Sequence, residues 1–214
     1  MSRNLAYYLA GVATMIVVAC GGGGGGGEAN PTTSSPGQVP TTTATSLLVI
    51  GNSITRHGPL PAFNWFGDWG MAASSQDKDF AHLVGTGLGL PVTAMNVADI
   101  ERDPSAPLPV FPVYPTTFVI VELGDNGLPA HYDKVMQAVK GSARLICTST
   151  WWEKPDRDAV MRPLCEGVGG TWVYIGDIYK GPTGAWTAEA VAMHPQNDDM
   201  AEIARRVLVA AKGK

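Results

Sequence analysis

Charge is scarce in this chain: Asp, Glu, Lys and Arg together make up 16% of its 214 residues. The 15 Lys and Arg form no cluster dense enough to track a phosphate backbone, so nucleic-acid binding is not expected. Histidine is scarcer still. The four present are scattered without ligand spacing, and neither a metal site nor a cofactor is implied. Long apolar runs are also missing. The fifteen residues LAYYLAGVATMIVVA fall short of the ~20 that span a bilayer, but behind Arg3 they fit the hydrophobic region of a secretory signal. What the chain does have is a 45% apolar content, enough for one well-packed globular domain plus accessories.

The first of three cysteines closes the apolar run. VVAC, ending at Cys20, resembles a bacterial lipobox. The resemblance implies that residues 1–20 are a lipoprotein signal, that Cys20 carries the lipid, and that Gly21 in place of an acid directs the protein to the outer membrane. An uncleaved anchor with an incidental cysteine is the alternative. Residues 21–45, GGGGGGGEANPTTSSPGQVPTTTAT, hold no large aliphatic residue except Val39 and read as a flexible tether. The folded domain is therefore expected over residues 46–214. Cys147 and Cys165 remain. In an exported protein they suit a disulfide, worth roughly 3 kcal/mol for a loop of this size, or else two separate buried thiols.

Five apolar, β-rich runs punctuate the domain: SLLVIG (46–51), LPVTAMNV (90–97), TFVIVELG (117–124), RLICTST (144–150) and WVYIG (172–176). They scarcely alternate with polar residues, as in parallel strands buried on both faces. Helical patterns over 77–89, 130–142, 156–170 and 198–213 separate them. The expectation is an α/β fold, a three-layer α/β/α sandwich on a five-stranded parallel sheet of flavodoxin-like type. Ligands of such sheets sit at the carboxyl ends of the strands. Ser53, Asn126, Trp151 and Asp177 all follow strands at that edge.

Three segments there carry candidate chemistry. GNSIT puts Ser53 after the first strand, either as a turn or helix-cap residue or as a displayed nucleophile. LGDNG puts Asn126 after the third, either in a simple Asn-Gly turn or with its amide aimed at a developing oxyanion, Gly124 permitting close backbone approach. MHPQNDD puts His194 ahead of the last helix, as a surface histidine or as a general base for Ser53.

In this order the three segments resemble those of the SGNH (GDSL-like) hydrolases, over about residues 46–213. The resemblance implies Ser53 as nucleophile, His194 as base, and Asn126 with backbone N–H groups as oxyanion hole, hence an ester hydrolase. Two positions depart from the pattern. The acid expected three residues before His194 is Val191, which leaves a Ser-His dyad oriented by a backbone carbonyl, or another acid, with Asp177 favoured over Glu189. The oxyanion glycine expected after the second strand corresponds to about Glu101, whose backbone N–H could still donate; Gly70 is a further candidate donor.

FNWFGDWGMAASSQDKDF follows the nucleophile. Its Trp65 and Trp69, with Trp151 and Trp152 after the fourth strand, either line a substrate cleft or pack beneath a loop. Glu101 and Arg102 form an ion pair at the rim or recognise a polar substrate. Taken with the lipid anchor, the implied activity is deacetylation of a polysaccharide or cell-envelope glycan by a monomer tethered to a membrane. Lysophospholipase, thioesterase or acyltransferase activity, and a non-catalytic glycan-binding lipoprotein on an inactive scaffold, are the alternatives.

Overall fold

A computed structural model describes residues 43–127, 131–182 and 186–213. The signal segment, Cys20 and the tether up to residue 42 lie outside the described residues. Five parallel strands, β1 (Ser46–Gly51), β2 (Val92–Asn96), β3 (Thr117–Glu122), β4 (Arg144–Thr148) and β5 (Thr171–Val173), form one sheet in the order β2-β1-β3-β4-β5. The chain leaves β1 for one side of the sheet and β3 for the other, so a crevice opens at their carboxyl ends. Gly51 is in register with both Asn96 and Glu122. The loops after these three strands therefore start at one level.

Burial explains the lack of alternation. In β1, Leu47 and Val49 pack with α1 (Phe80–Leu88) and α6 (Asn197–Lys212), whereas Leu48 and Ile50 pack with α3 (Tyr132–Val139) and α4 (Pro155–Gly167). Both faces are covered, so neither parity can be polar. The reading fails for β2, which lies at the sheet edge and is half-buried to exposed along its length. β5 is also shorter than expected, since the chain leaves the sheet after Val173 and Tyr174 is exposed.

The helices start and stop on local signals. Asp79 caps α1 by accepting the His82 N–H, and Gly89 ends it at φ +68°. Pro155 opens α4 at a position where a missing N–H costs nothing. Gln196 and Asp199 form a reciprocal capping box on α6. Two four-residue helices, α2 (Asp99–Arg102) and α5 (Glu189–Ala192), complete the set. The open question over the cysteines is resolved: Cys147 of β4 and Cys165 of α4 form a disulfide, 18 residues apart in sequence.

Candidate active site

Gly51 ends β1 where nothing larger fits, because a Cβ there would lie 2.1 Å from Thr55 Oγ1 and 2.7 Å from the Glu122 carbonyl oxygen. Asn52 then turns the chain: its Oδ1 accepts the Ile54 N–H at 2.9 Å. The Asn52 side-chain amide and the Thr55 hydroxyl each donate to the Glu122 carboxyl group at 3.2 Å, tying the turn to the end of β3. This fixes Ser53, 6% exposed, with its carbonyl accepting the Met71 N–H. The Ser53 N–H has no hydrogen-bond partner among the described residues.

Ser53 Oγ lies 2.8 Å from His194 Nε2, across 141 residues of sequence. The other ring nitrogen, Nδ1, lies 2.8 Å from the Ala190 carbonyl of α5. A carbonyl only accepts, so Nδ1 carries the proton and Nε2 presents a lone pair to the serine hydroxyl. Burial lowers the His194 pKa to about 4, with the His57 ring pushing the same way and the Ala190 carbonyl opposing. The preceding residue is held too. Trp151 Nε1 and Trp152 Nε1 donate to the Met193 carbonyl at 3.1 and 3.2 Å, and the Trp152 ring stands edge-on to the imidazole at 5.3 Å.

Asp177 does not reach this histidine. Its two oxygens bind the Arg206 guanidinium at 2.5 and 3.2 Å, and that pairing holds its carboxyl below the usual range. The acid expected to orient His194 is thus engaged elsewhere, and the Ala190 carbonyl stands in its place. Val191 is fully buried beside Trp65, Met71 and Ala72. Where an acid was expected, this side chain instead anchors α5.

The expected oxyanion donors also differ. The Glu101 backbone N–H is spent on the Ala98 carbonyl at 3.1 Å inside α2, and Gly70 N–H is spent on Asp79 Oδ2 at 3.2 Å. The Glu101 side chain, 6% exposed, turns inward instead. Its Oε1 accepts the Gly124 N–H and its Oε2 accepts from Asn126 Nδ2 at 2.7 Å. Gly124 sits at φ +112°, where a Cβ would be strained and would meet Met161 Cε at 2.5 Å. Arg102 donates to Asn126 Oδ1 at 2.9 Å, so it braces the amide from behind and is not paired with Glu101.

Sequence reasoning missed the buried acids beneath these loops. Glu122 and Asp125 are enclosed beside Glu101, and burial raises all three carboxyl pKa values, Glu122 furthest, with the charges of Asp125 and Glu101 adding to its rise. Asp125 Oδ1 accepts the Trp152 N–H at 3.1 Å, while its Oδ2 is buried with no donor among the described residues. Arg157, also missed, clamps the loop by donating from Nη1 to the Gly124 and Asp125 carbonyls. A polar residue directly after an apolar strand was the signal available for Asp125.

Of the four tryptophans expected either to line a cleft or to pack beneath a loop, two are core. Trp65 is 1% exposed, against Trp69 at 5.7 Å and Trp186 at 5.5 Å; Trp151 is also 1% exposed, packed on Tyr179 at 5.5 Å. Trp69 borders a separate hollow with Arg56, Asp68 and His82. The cleft beside His194, about 530 Å³, is lined by Trp152, Lys154, Tyr179, Ala190 and Met193.

No known family's sequence profile and no curated protein matches the chain. Solved structures do match in fold. A GDSL-like lipase from Bacteroides uniformis superposes with a TM-score of 0.50 at 12% identity, over 79% of this chain and 97% of its own. A GDSL-like lipase from Bacteroides ovatus gives 0.48 at 11%, over 80% and 100%. A carbohydrate esterase whose active site is described as having divergent catalytic and non-catalytic binding functions gives 0.48 at 12%, over 84% of this chain and 68% of its own. At these identities the likeness is one of fold.

Proposed function

We propose that this protein is a serine ester hydrolase of SGNH type, working through a Ser53–His194 dyad. The observation that carries the reading is the 2.8 Å contact from Ser53 Oγ to the unprotonated Nε2 of His194, at the carboxyl edge between β1 and β3 where such sheets place ligands. His194 Nε2 takes the hydroxyl proton as Oγ bonds to the ester carbonyl carbon. The tetrahedral oxyanion draws on the Ser53 N–H and on the second hydrogen of Asn126 Nδ2, the first being held by Glu101. The imidazolium then gives its proton to the departing alcohol, leaving an acyl-serine. Water attacks the acyl carbon, losing a proton to His194, and the carboxylic acid leaves with Ser53 restored.

Substrate preference follows from the cleft and from the amino-terminal segment. Trp152 and Tyr179 offer aromatic faces for a sugar ring or an acyl chain beside the base. With Cys20 as a lipid anchor and residues 21–45 as a tether, the ester is proposed to be an O-acyl group on a cell-envelope glycan, reached by a monomer held at the outer membrane. A second reading, a non-catalytic glycan-binding protein, draws on one observation: the Glu101 carboxylate already occupies donors an oxyanion needs. Treating the full chain with a fluorophosphonate probe and with p-nitrophenyl acetate separates the two. The hydrolase labels at Ser53 and releases acetate, and Ser53→Ala abolishes both. Labelling equal to that of Ser53→Ala refutes the esterase.

A further inference from the structure

Resting on the esterase reading, we infer that Glu101 is a proton-operated gate on the oxyanion site: ionised, its carboxylate occupies and repels the oxyanion, and protonation or removal of that carboxylate switches the esterase on. The geometry is specific. One buried carboxylate takes the Gly124 N–H with Oε1 and the Asn126 amide with Oε2. These groups stand on the loop after β3, which faces the nucleophile loop in the crevice beside β1. The pairing is enforced by backbone, since the Glu101 carbonyl passes Gly127 so closely that a Cβ there would lie 2.3 Å from it.

A negative charge within hydrogen-bond distance of an oxyanion donor opposes the charge that the donor is there to stabilise. In a buried site that repulsion falls on the transition state more than on the neutral ester. The surroundings also make Glu101 readily protonated. Burial is the largest influence and raises its pKa; the Asp125 carboxyl adds to the rise, while Asn126, the Gly124 N–H and Asn52 oppose it. Glu122, from β3, is the remaining acid in the group, and its charge interaction with Glu101 raises its own pKa. Two cations touch the loop, Arg102 bound to Asn126 Oδ1 and Arg157 bound to the Gly124 and Asp125 carbonyls, and neither is paired with the Glu101 carboxylate. His194 meanwhile stays unprotonated down to about pH 4. The base is therefore still competent at the acidity that neutralises the gate, and the enzyme favours mildly acidic conditions.

The test compares full-length wild type, Glu101→Gln and Glu101→Gly, using fluorophosphonate labelling of Ser53 and p-nitrophenyl acetate turnover between pH 4.5 and 8.5. Glu101→Gln keeps the shape and removes the charge, and a thermal melt verifies its fold. At pH 8 both variants are expected to react about tenfold or more faster than wild type, since one oxyanion donor is typically worth about 10² to 10³. Wild type is expected to accelerate as pH falls towards 4.5, narrowing the gap to Glu101→Gln, whereas the Gln variant shows no such rise. If wild type is active and neither variant is faster at pH 8, Glu101 is a structural brace and the gate is overturned while the esterase stands. If Ser53 is unreactive in all three proteins at every pH, the esterase reading falls and takes the gate with it.

Discussion

An imidazole with Nδ1 against a peptide carbonyl and Nε2 against a hydroxyl has one useful neutral tautomer, and the fold supplies it to His194 without a carboxylate. What the carbonyl does not supply is a countercharge. A buried carboxylate would favour the imidazolium and raise the pKa; here burial dominates and lowers it to about 4. The sign sets the acid limb. The base is lost only when His194 gains a proton, so kcat/KM for an ester is expected to fall on the acid side near pH 4, not near the ordinary histidine value. A limb at 6 or above means that an acid engages the ring. In the same assay His194→Gln removes activity, while Asp177→Asn stays within about twofold of wild type, because that carboxylate serves an exposed pair with Arg206, a kind worth little. A tenfold loss in Asp177→Asn would restore it as the third member of a triad.

At the scale of elements, the strands were legible in the sequence because burial on both faces leaves an unbroken apolar run, as in Leu47–Ile50 and Phe118–Val121. The edge strand β2 and the three-residue β5 were read less well, since their pattern is set by position in the sheet rather than by local preference. Trp151 and Trp152 show why the site's lining was only half readable. Both stand in the turn after β4 and donate to the Met193 carbonyl, yet one ring is enclosed in the core while its neighbour meets His194, a difference set by the packing around the turn. Glu101 was read for its backbone N–H, and only the four-residue helix α2 reveals that this N–H is spent and the side chain turned in. α5 is too short to show periodicity. The disulfide is a tie between elements, joining β4 to α4 beneath the same loops. Reducing it, or making Cys165→Ser, is expected to cost about 3 kcal/mol in urea unfolding, read as a lower midpoint at unchanged slope. An unchanged midpoint would mean that packing around Met136 and Met161 holds the two elements by itself.

Across the whole molecule, the small charge complement is unevenly placed: exposed acids pair with arginines, as in Asp68 with Arg56 and Glu202 with Arg205 and Arg206, while three unpaired acids are buried under the site. The buried group sets the dependence of stability on pH. The folded-state pKa values of Glu122, Asp125 and Glu101 lie above their unfolded values, so the native state holds protons that the unfolded chain has released. Their contribution is complete below the unfolded carboxylate pKa and is lost as pH rises through the folded values. His194 acts in the opposite sense. Its folded pKa of about 4 lies below the ordinary histidine value of 6.5, so the unfolded chain gains a proton that the native state refuses, and stability falls as pH drops from about 6.5 towards 4. The carboxyl group works the other way, and Tm is expected to decline as pH rises through its raised folded values. Glu122→Gln isolates the cause. The amide keeps an oxygen to accept from Asn52 or Thr55 and presents a permanent N–H to Asp125 Oδ2, imitating the protonated acid. Its Tm is expected to match or exceed that of wild type at pH 8.5, with a flatter profile and a shrinking difference at pH 6. A uniform loss at every pH would show instead that Glu122 serves the native state as an ionised acceptor, with the decline of wild type arising elsewhere.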